Sequence, residues 1–136
     1  LPPGARLLAA PGRALVVGAS PEPARQRVLE AAGAETLVLG RDGAIDLPAL
    51  LAELARRAVN EVHVEAGPVL NGALLKAGLV DEWLLYLAPK LLGAGRGLAD
   101  IGPLAALTDA PALRIVDATP IGDDLRLRAR PAAPPG

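Results

Sequence analysis

The segment NEVHVEAGPVLNGALLKAGLVD, residues 60–81, constrains this chain more than any other. A short apolar run, Val62 and Val64 with His63 between them, ends in Glu65. The turn Ala66-Gly67-Pro68 follows at once, and residues 69–77 read as a helix that opens with Asn71-Gly72 and closes at Gly78. Gly67 permits a tight turn, and Pro68 suits a first helical turn because it brings no N–H that needs a partner. A strand feeding such a turn aims unpaired backbone N–H groups at one point, which is the local geometry of a phosphate site. The structural alternative is an ordinary strand–helix turn in which Gly72 lets a neighbouring strand, and not a ligand, come close. Glu65 stands at the carboxyl end of the strand, where open α/β sheets hold ligands. A carboxylate there is costly to bury unless it is hydrogen-bonded. It either accepts from a polar ligand or is satisfied by a helix-start N–H or an arginine.

The same alternation runs through the first half of the chain. Short apolar runs at 14–17, 36–39 and 61–65 are separated by helical patterns. Ser20-Pro21-Glu22 reads as the start of the first helix, which runs to about residue 32 and stops at Gly33. Asp46 caps the second, with Pro48 just inside its first turn, and Asn60 ends it. Leu47, Leu50, Leu51, Leu54 and Ala58 share one face at helical spacing. This β-α-β-α-β-α order predicts an α/β fold, a mostly parallel sheet flanked by helices. The tail differs. Residues 82–88 read as a strand, 89–102 as a glycine-rich loop and 103–107 as one helical turn. Strands at 113–118 and 125–130 are separated by 119–124. Leu125, Leu127 and Ala129 alternate with Arg126, Arg128 and Arg130, which predicts an antiparallel C-terminal edge pair with one wet face. Residues 1–130 form one domain on this reading, and 131–136 a disordered tail.

Composition narrows the function. The 14 Lys and Arg balance 15 Asp and Glu, with no basic stripe for nucleic acid. No apolar run approaches the ~20 residues that a membrane span needs. There is no cysteine, which excludes disulfides and thiolate metal sites and fits a reducing, cytoplasmic setting. The single His63 cannot build a multi-histidine site, so no metal is expected. Pointing with Glu61 and Glu65, it reads as a core or interface histidine bonded to a carboxylate. Ser20, the one serine, is better explained as a helix cap than as a nucleophile. Asp81 and Glu82 point to opposite sides of an extended chain and read as solvated turn residues. Gly93-Ala94-Gly95-Arg96-Gly97 lacks the G-x-G-x-x-G spacing and reads as a mobile loop beside a site, with Arg96 and Lys90 better explained as facing solvent than as reaching a phosphate and the substrate. The start at Leu1, with arginines and no acid through residue 19, shares features with transit peptides. A proline-rich lead into a buried strand accounts for it better.

Residues 64–98, VEAGPVLNGALLKAGLVDEWLLYLAPKLLGAGRGL, resemble the reductase domain of the bifunctional riboflavin-biosynthesis deaminase–reductases. These belong to the dihydrofolate-reductase-like family. The runs EAGPVLNGAL, AGLVDE and APKLLG carry the likeness, which continues loosely through 103–107 and 110–127. Residues 1–57 share mainly the order of elements. The resemblance implies a dihydrofolate-reductase-like fold lacking its N-terminal part. It also implies NADPH-dependent reduction of 5-amino-6-(5-phosphoribosylamino)uracil to 5-amino-6-(5-phosphoribitylamino)uracil. Gly67, Pro68, Val69, Leu70, Asn71, Gly72 and Ala73 would then bind the cofactor, and Glu65 the small-molecule substrate. No residue is identified as the proton donor. A homodimer, with a zinc deaminase domain upstream, is implied as well. Two other readings stand beside this one: a related reductase acting on another pterin or aminouracil, and a non-catalytic nucleotide-binding or dimerisation fragment.

Overall fold

The computed structural model describes residues 1–132. They divide into two compact units, Leu1–Val62 and the residues from His63 onward.

The first unit is built on a strand–helix–strand crossover. Strands β1 (Ala14–Gly18) and β2 (Ala34–Val38) pair in parallel, from Ala14 opposite Ala34 to Gly18 opposite Val38. Helix α1 (Pro23–Ala31) joins them, as a parallel pair requires. Its first position is taken by Pro23 and not Pro21, so Glu22 stands at the N-cap and Ser20 lies outside the helix. Two prolines compete for one role, and the pattern does not rank them. Gly33, at φ +92°, turns the chain into β2. A hairpin follows that the alternation did not predict, β3 (Gly40–Arg41) with β4 (Ala44–Ile45). Asp42 and Gly43 both take positive φ, +52° and +79°. That is the turn for which Asp-Gly is the sequence signature. Helix α2 (Leu47–Arg56) opens as expected, with the Asp46 carboxylate accepting from the Ala49 amide at 3.0 Å. It ends before Asn60, because Ala58 takes φ +61° and the Val59 amide folds back on the Leu54 carbonyl at 3.0 Å.

The second unit holds α3 (Pro68–Lys76) and a three-stranded antiparallel sheet. Its strands β5 (Trp83–Leu87), β6 (Leu113–Ile121) and β7 (Asp124–Pro131) lie in the order β5-β7-β6. The arginine-bearing strand β7 is therefore the centre of the sheet and not part of an edge pair. One face buries Trp83 against Ala129, its register partner, which is 2% exposed. The other carries Arg126, Arg128 and Arg130. The β6–β7 pair runs longer than expected because Ile121 pairs with Asp124, leaving only Gly122-Asp123 as the turn. Gly122 at φ +60° suits that turn's first position. A 3-10 turn at Leu107–Asp109 replaces the helical turn expected at 103–107. Pro131 belongs to β7, and the Ala132 amide donates to Ala112 O at 2.9 Å, so the chain is still paired where the tail was expected to begin. Residues 133–136 of that tail lie outside the described residues.

Two expectations change. The run at 61–65 makes no ladder, and Val62 and Val64 are exposed. A strand forms only where a neighbour takes its N–H and C=O groups, and the boundary between the two units falls inside this run. Parallel pairing is also limited, among the described residues, to β1 with β2. The α/β class stands. No described helix is long and apolar enough to cross a membrane.

Candidate functional site

The start of α3 has no side-chain cap, a property it shares with α1, and of the two only α3 follows Glu65 and the Gly-Pro turn. Gly67 is its N-cap, with φ −82° and ψ 175°, and no side chain caps the helix. Pro68 takes the first position, as its fixed φ and missing N–H favour. The Asn71 amide donates to Gly67 O at 3.2 Å, closing the first helical turn. The amides of Val69 and Leu70 precede that bond and take no partner among the described residues. Both side chains are exposed, Val69 strongly so. A Cβ on Gly67 would meet nothing within 4 Å, so the space in front of the turn is clear. Free N–H groups, the positive end of the helix dipole and an unobstructed approach together suit an anion.

Glu65 lies two residues before the cap, on the extended run that enters the turn. Its side chain is 84% exposed, and its Oε1 is 3.4 Å from His63 Nε2. The expected histidine–carboxylate contact is therefore present, but on the surface and not in a core. No arginine or helix-start amide occupies Glu65 among the described residues, which leaves the carboxylate available to a ligand.

The rest of the motif turns inward. Asn71 Nδ2 donates to Leu98 O at 2.9 Å and to Ala66 O at 3.3 Å. Gly72 is buried, and a Cβ there would overlap the Asp100 carbonyl. The Asp100 amide donates to Pro68 O at 2.8 Å, and Asp100 Oδ1 accepts from the Gly102 amide at 3.1 Å. Gly72 thus admits a returning loop, where the sequence left a choice between a ligand and a strand. Ala73 is half-buried behind it. The glycine-rich stretch 93–97, with Lys90 and Arg96, is exposed and makes no ladder. Nothing in its own sequence shows that the chain just beyond it seats on α3. Gly72 was the only signal.

A second charged cluster is more ordered than its sequence suggests. Glu82 is no free turn residue. Arg128 donates to its two oxygens at 2.9 and 3.0 Å, and Arg130 donates at 3.0 Å. These hydrogen bonds, Arg128 first and Arg130 next, hold its carboxyl down to about 2. Asp117 is also held below the usual carboxylate range, by the Thr119 hydroxyl and then by Arg126. The cluster pairs within itself, Glu82 with Arg128 and Arg130 and Asp117 with Arg126, and so reads as cross-strand registry.

Residues 1–127 match the family described as the RibD C-terminal domain. The chain is 45% identical over 92 residues to riboflavin biosynthesis protein RibD of Escherichia coli K12, a match covering 67% of this chain and 25% of that protein. It is 34% identical over 88 residues to the 5-amino-6-(5-phosphoribosylamino)uracil reductase of Buchnera aphidicola subsp. Acyrthosiphon pisum, covering 64% of this chain and 42% of that one. Among solved structures, Acinetobacter baumannii RibD superposes with a TM-score of 0.80 at 28% identity, over 98% of this chain and 35% of the other. The matched part is thus about a quarter of the length of the first relative. The dihydrofolate-reductase-like fold implied by residues 64–98 agrees with this likeness. On the family match and the shared fold together, the chain belongs to the RibD C-terminal domain family.

Proposed function

We propose that this chain is a reductase domain of riboflavin biosynthesis, reducing 5-amino-6-(5-phosphoribosylamino)uracil to the ribitylamino product with NADPH. The observation that carries the reading is the uncapped start of α3, set directly after Glu65, in a chain similar to an enzyme named for this reduction. NADPH fits the turn in kind: its phosphate would accept from the free Val69 and Leu70 amides, and Gly67 leaves the approach clear. In this reading Pro68 sets the helix start and Ala73 lies behind the contact surface. Asn71 and Gly72 build the turn from behind.

The nucleotide supplies a hydride that ends on the sugar C1′, and one proton is taken up with it. The chain's own residues bind and orient. Glu65 accepts hydrogen bonds from the aminouracil or its sugar hydroxyls and fixes which face is presented. The α3 amides would hold the phosphate end of the cofactor. A second copy of the domain and a zinc deaminase domain in the full-length protein belong to the same proposal.

Gly67→Asp tests it cleanly. An aspartate at the N-cap accepts from the same first-turn amides, so it stabilises α3 by a few tenths of a kcal/mol relative to glycine. It also puts a negative charge where the phosphate would bind. Calorimetric titration with NADPH, and separately with NADH, should show affinity falling by about tenfold, ~1.4 kcal/mol, while thermal stability rises slightly. Unchanged nucleotide binding in the stabilised variant would remove the α3 start from the cofactor site.

A further inference from the structure

We infer that Asn71 is a positioning residue, whose carboxamide pins the turn at 65–67 to the returning loop at 98–102 and so sets the direction of Glu65. The inference rests on the reductase reading of this turn. A carboxamide nitrogen carries two N–H groups. In Asn71 one goes to Ala66 O, at 3.3 Å, and one to Leu98 O, at 2.9 Å. Its backbone amide is taken by Gly67 O at 3.2 Å. Asn71 therefore has no N–H left to offer a cofactor, although it lies in the middle of the motif that faces one.

What it grips is informative. Ala66 sits between Glu65, the candidate substrate ligand, and Gly67, the helix cap. Leu98 is the first residue after the glycine-rich stretch at 93–97. The loop then stays on the helix: Asp100 donates to Pro68 O at 2.8 Å, and its backbone lies where Gly72 leaves no room for a Cβ. Of these contacts, only the Asn71 side chain touches Ala66 and the loop at once. Asn71→Asp keeps the shape and removes both donors, and sets a carboxylate against two carbonyl oxygens.

The test uses Asn71→Asp and Asn71→Gln in the complete protein, after circular dichroism confirms folding. In Asn71→Asp, kcat/KM for the aminouracil substrate should fall about tenfold to a hundredfold while NADPH affinity is retained, the signature of misplacement and not of a lost cofactor contact. Asn71→Gln keeps the donor group and should recover part of the loss. Amide hydrogen exchange at Asp100, whose N–H is held by Pro68 O, should accelerate in step. Trypsin should cut faster at Arg96, beside the released loop. Wild-type kinetics and exchange in Asn71→Asp would overturn the inference. So would a fall in NADPH affinity that equals the fall in kcat/KM, since Asn71 would then be a cofactor ligand. Should the wild-type protein show no reductase turnover, the proposed function fails. Exchange and proteolysis alone then decide whether the pin exists. If Asn71→Asp does not fold, the same readouts on Asn71→Gln decide it.

Discussion

Helices α2 and α3 are the same device finished in opposite ways. Both begin with proline in the first turn and both end in the same hydrogen-bonded C-terminal wrap. In α2, the Val59 amide reaches Leu54 O and the Ala58 amide reaches Ala55 O, each at 3.0 Å. In α3, Leu79 reaches Leu74 O and Gly78 reaches Leu75 O, again at 3.0 Å. The residue that must turn left-handed is Ala58 in one, at φ +61°, and Gly78 in the other, at φ +66°. At the N-termini the contrast reverses. Asp46 closes α2 with its own carboxylate, whereas Gly67 leaves α3 uncapped. So α2 is satisfied where it starts and strained where it ends, and α3 is relaxed where it ends and unsatisfied where it starts. Free first-turn amides alone do not mark a site, since α1 also starts without a side-chain cap at Glu22, but a helix that receives an anion needs them.

Exchanging the ends tests that contrast. The largest effect belongs to Asp46→Ala, which orphans the Ala49 amide and should lower stability by ~1 kcal/mol in urea titration. Next, Ala58→Gly should raise stability by roughly 0.5–1 kcal/mol, because glycine takes positive φ without strain. Gly78→Ala should lower it by a similar amount, by the same reasoning in reverse. Gly67→Asp, which makes α3 begin as α2 does, moves stability by only a few tenths of a kcal/mol and nucleotide affinity most. The smallest stability effect is electrostatic and confined to the second unit. Glu82 is lowered from 4.5 to about 2 by its two arginines, so its contribution is complete above pH 4.5 and is lost as pH falls towards 2. Glu82→Gln should flatten that part of an acid titration followed by the fluorescence of Trp83, the only tryptophan and the next residue along. Solvent screening around these exposed groups keeps the change small.

Much of this was legible from local chemistry. Asp46 as a cap, Pro68 and Gly78 as the ends of α3, and the alternation in β7 all follow from single-residue physics. What stayed hidden depends on partners. Whether 61–65 forms a ladder depends on a neighbouring strand, which its own Val-His-Val pattern cannot supply. The central position of β7 depends on β5, far away in sequence. Ala58 gives no sign of left-handed backbone, since nothing but the surrounding bonds forces it there. At the candidate site, the free amides were foreseeable from Gly67-Pro68. The roles of Asn71 and Glu82 were not, because each is set by residues 27 and 46 positions further along.

The central place of β7 has a consequence for how the protein is made. Among the described residues, β5 and β6 each pair only with β7, which follows both of them in the chain. Until that strand arrives, the three-stranded sheet does not exist, and two open edges wait for their middle. A nascent chain stopped at residue 123 would therefore lose the whole sheet and not merely one strand of it. Whatever removes β7 therefore removes the sheet that β5 and β6 share through it.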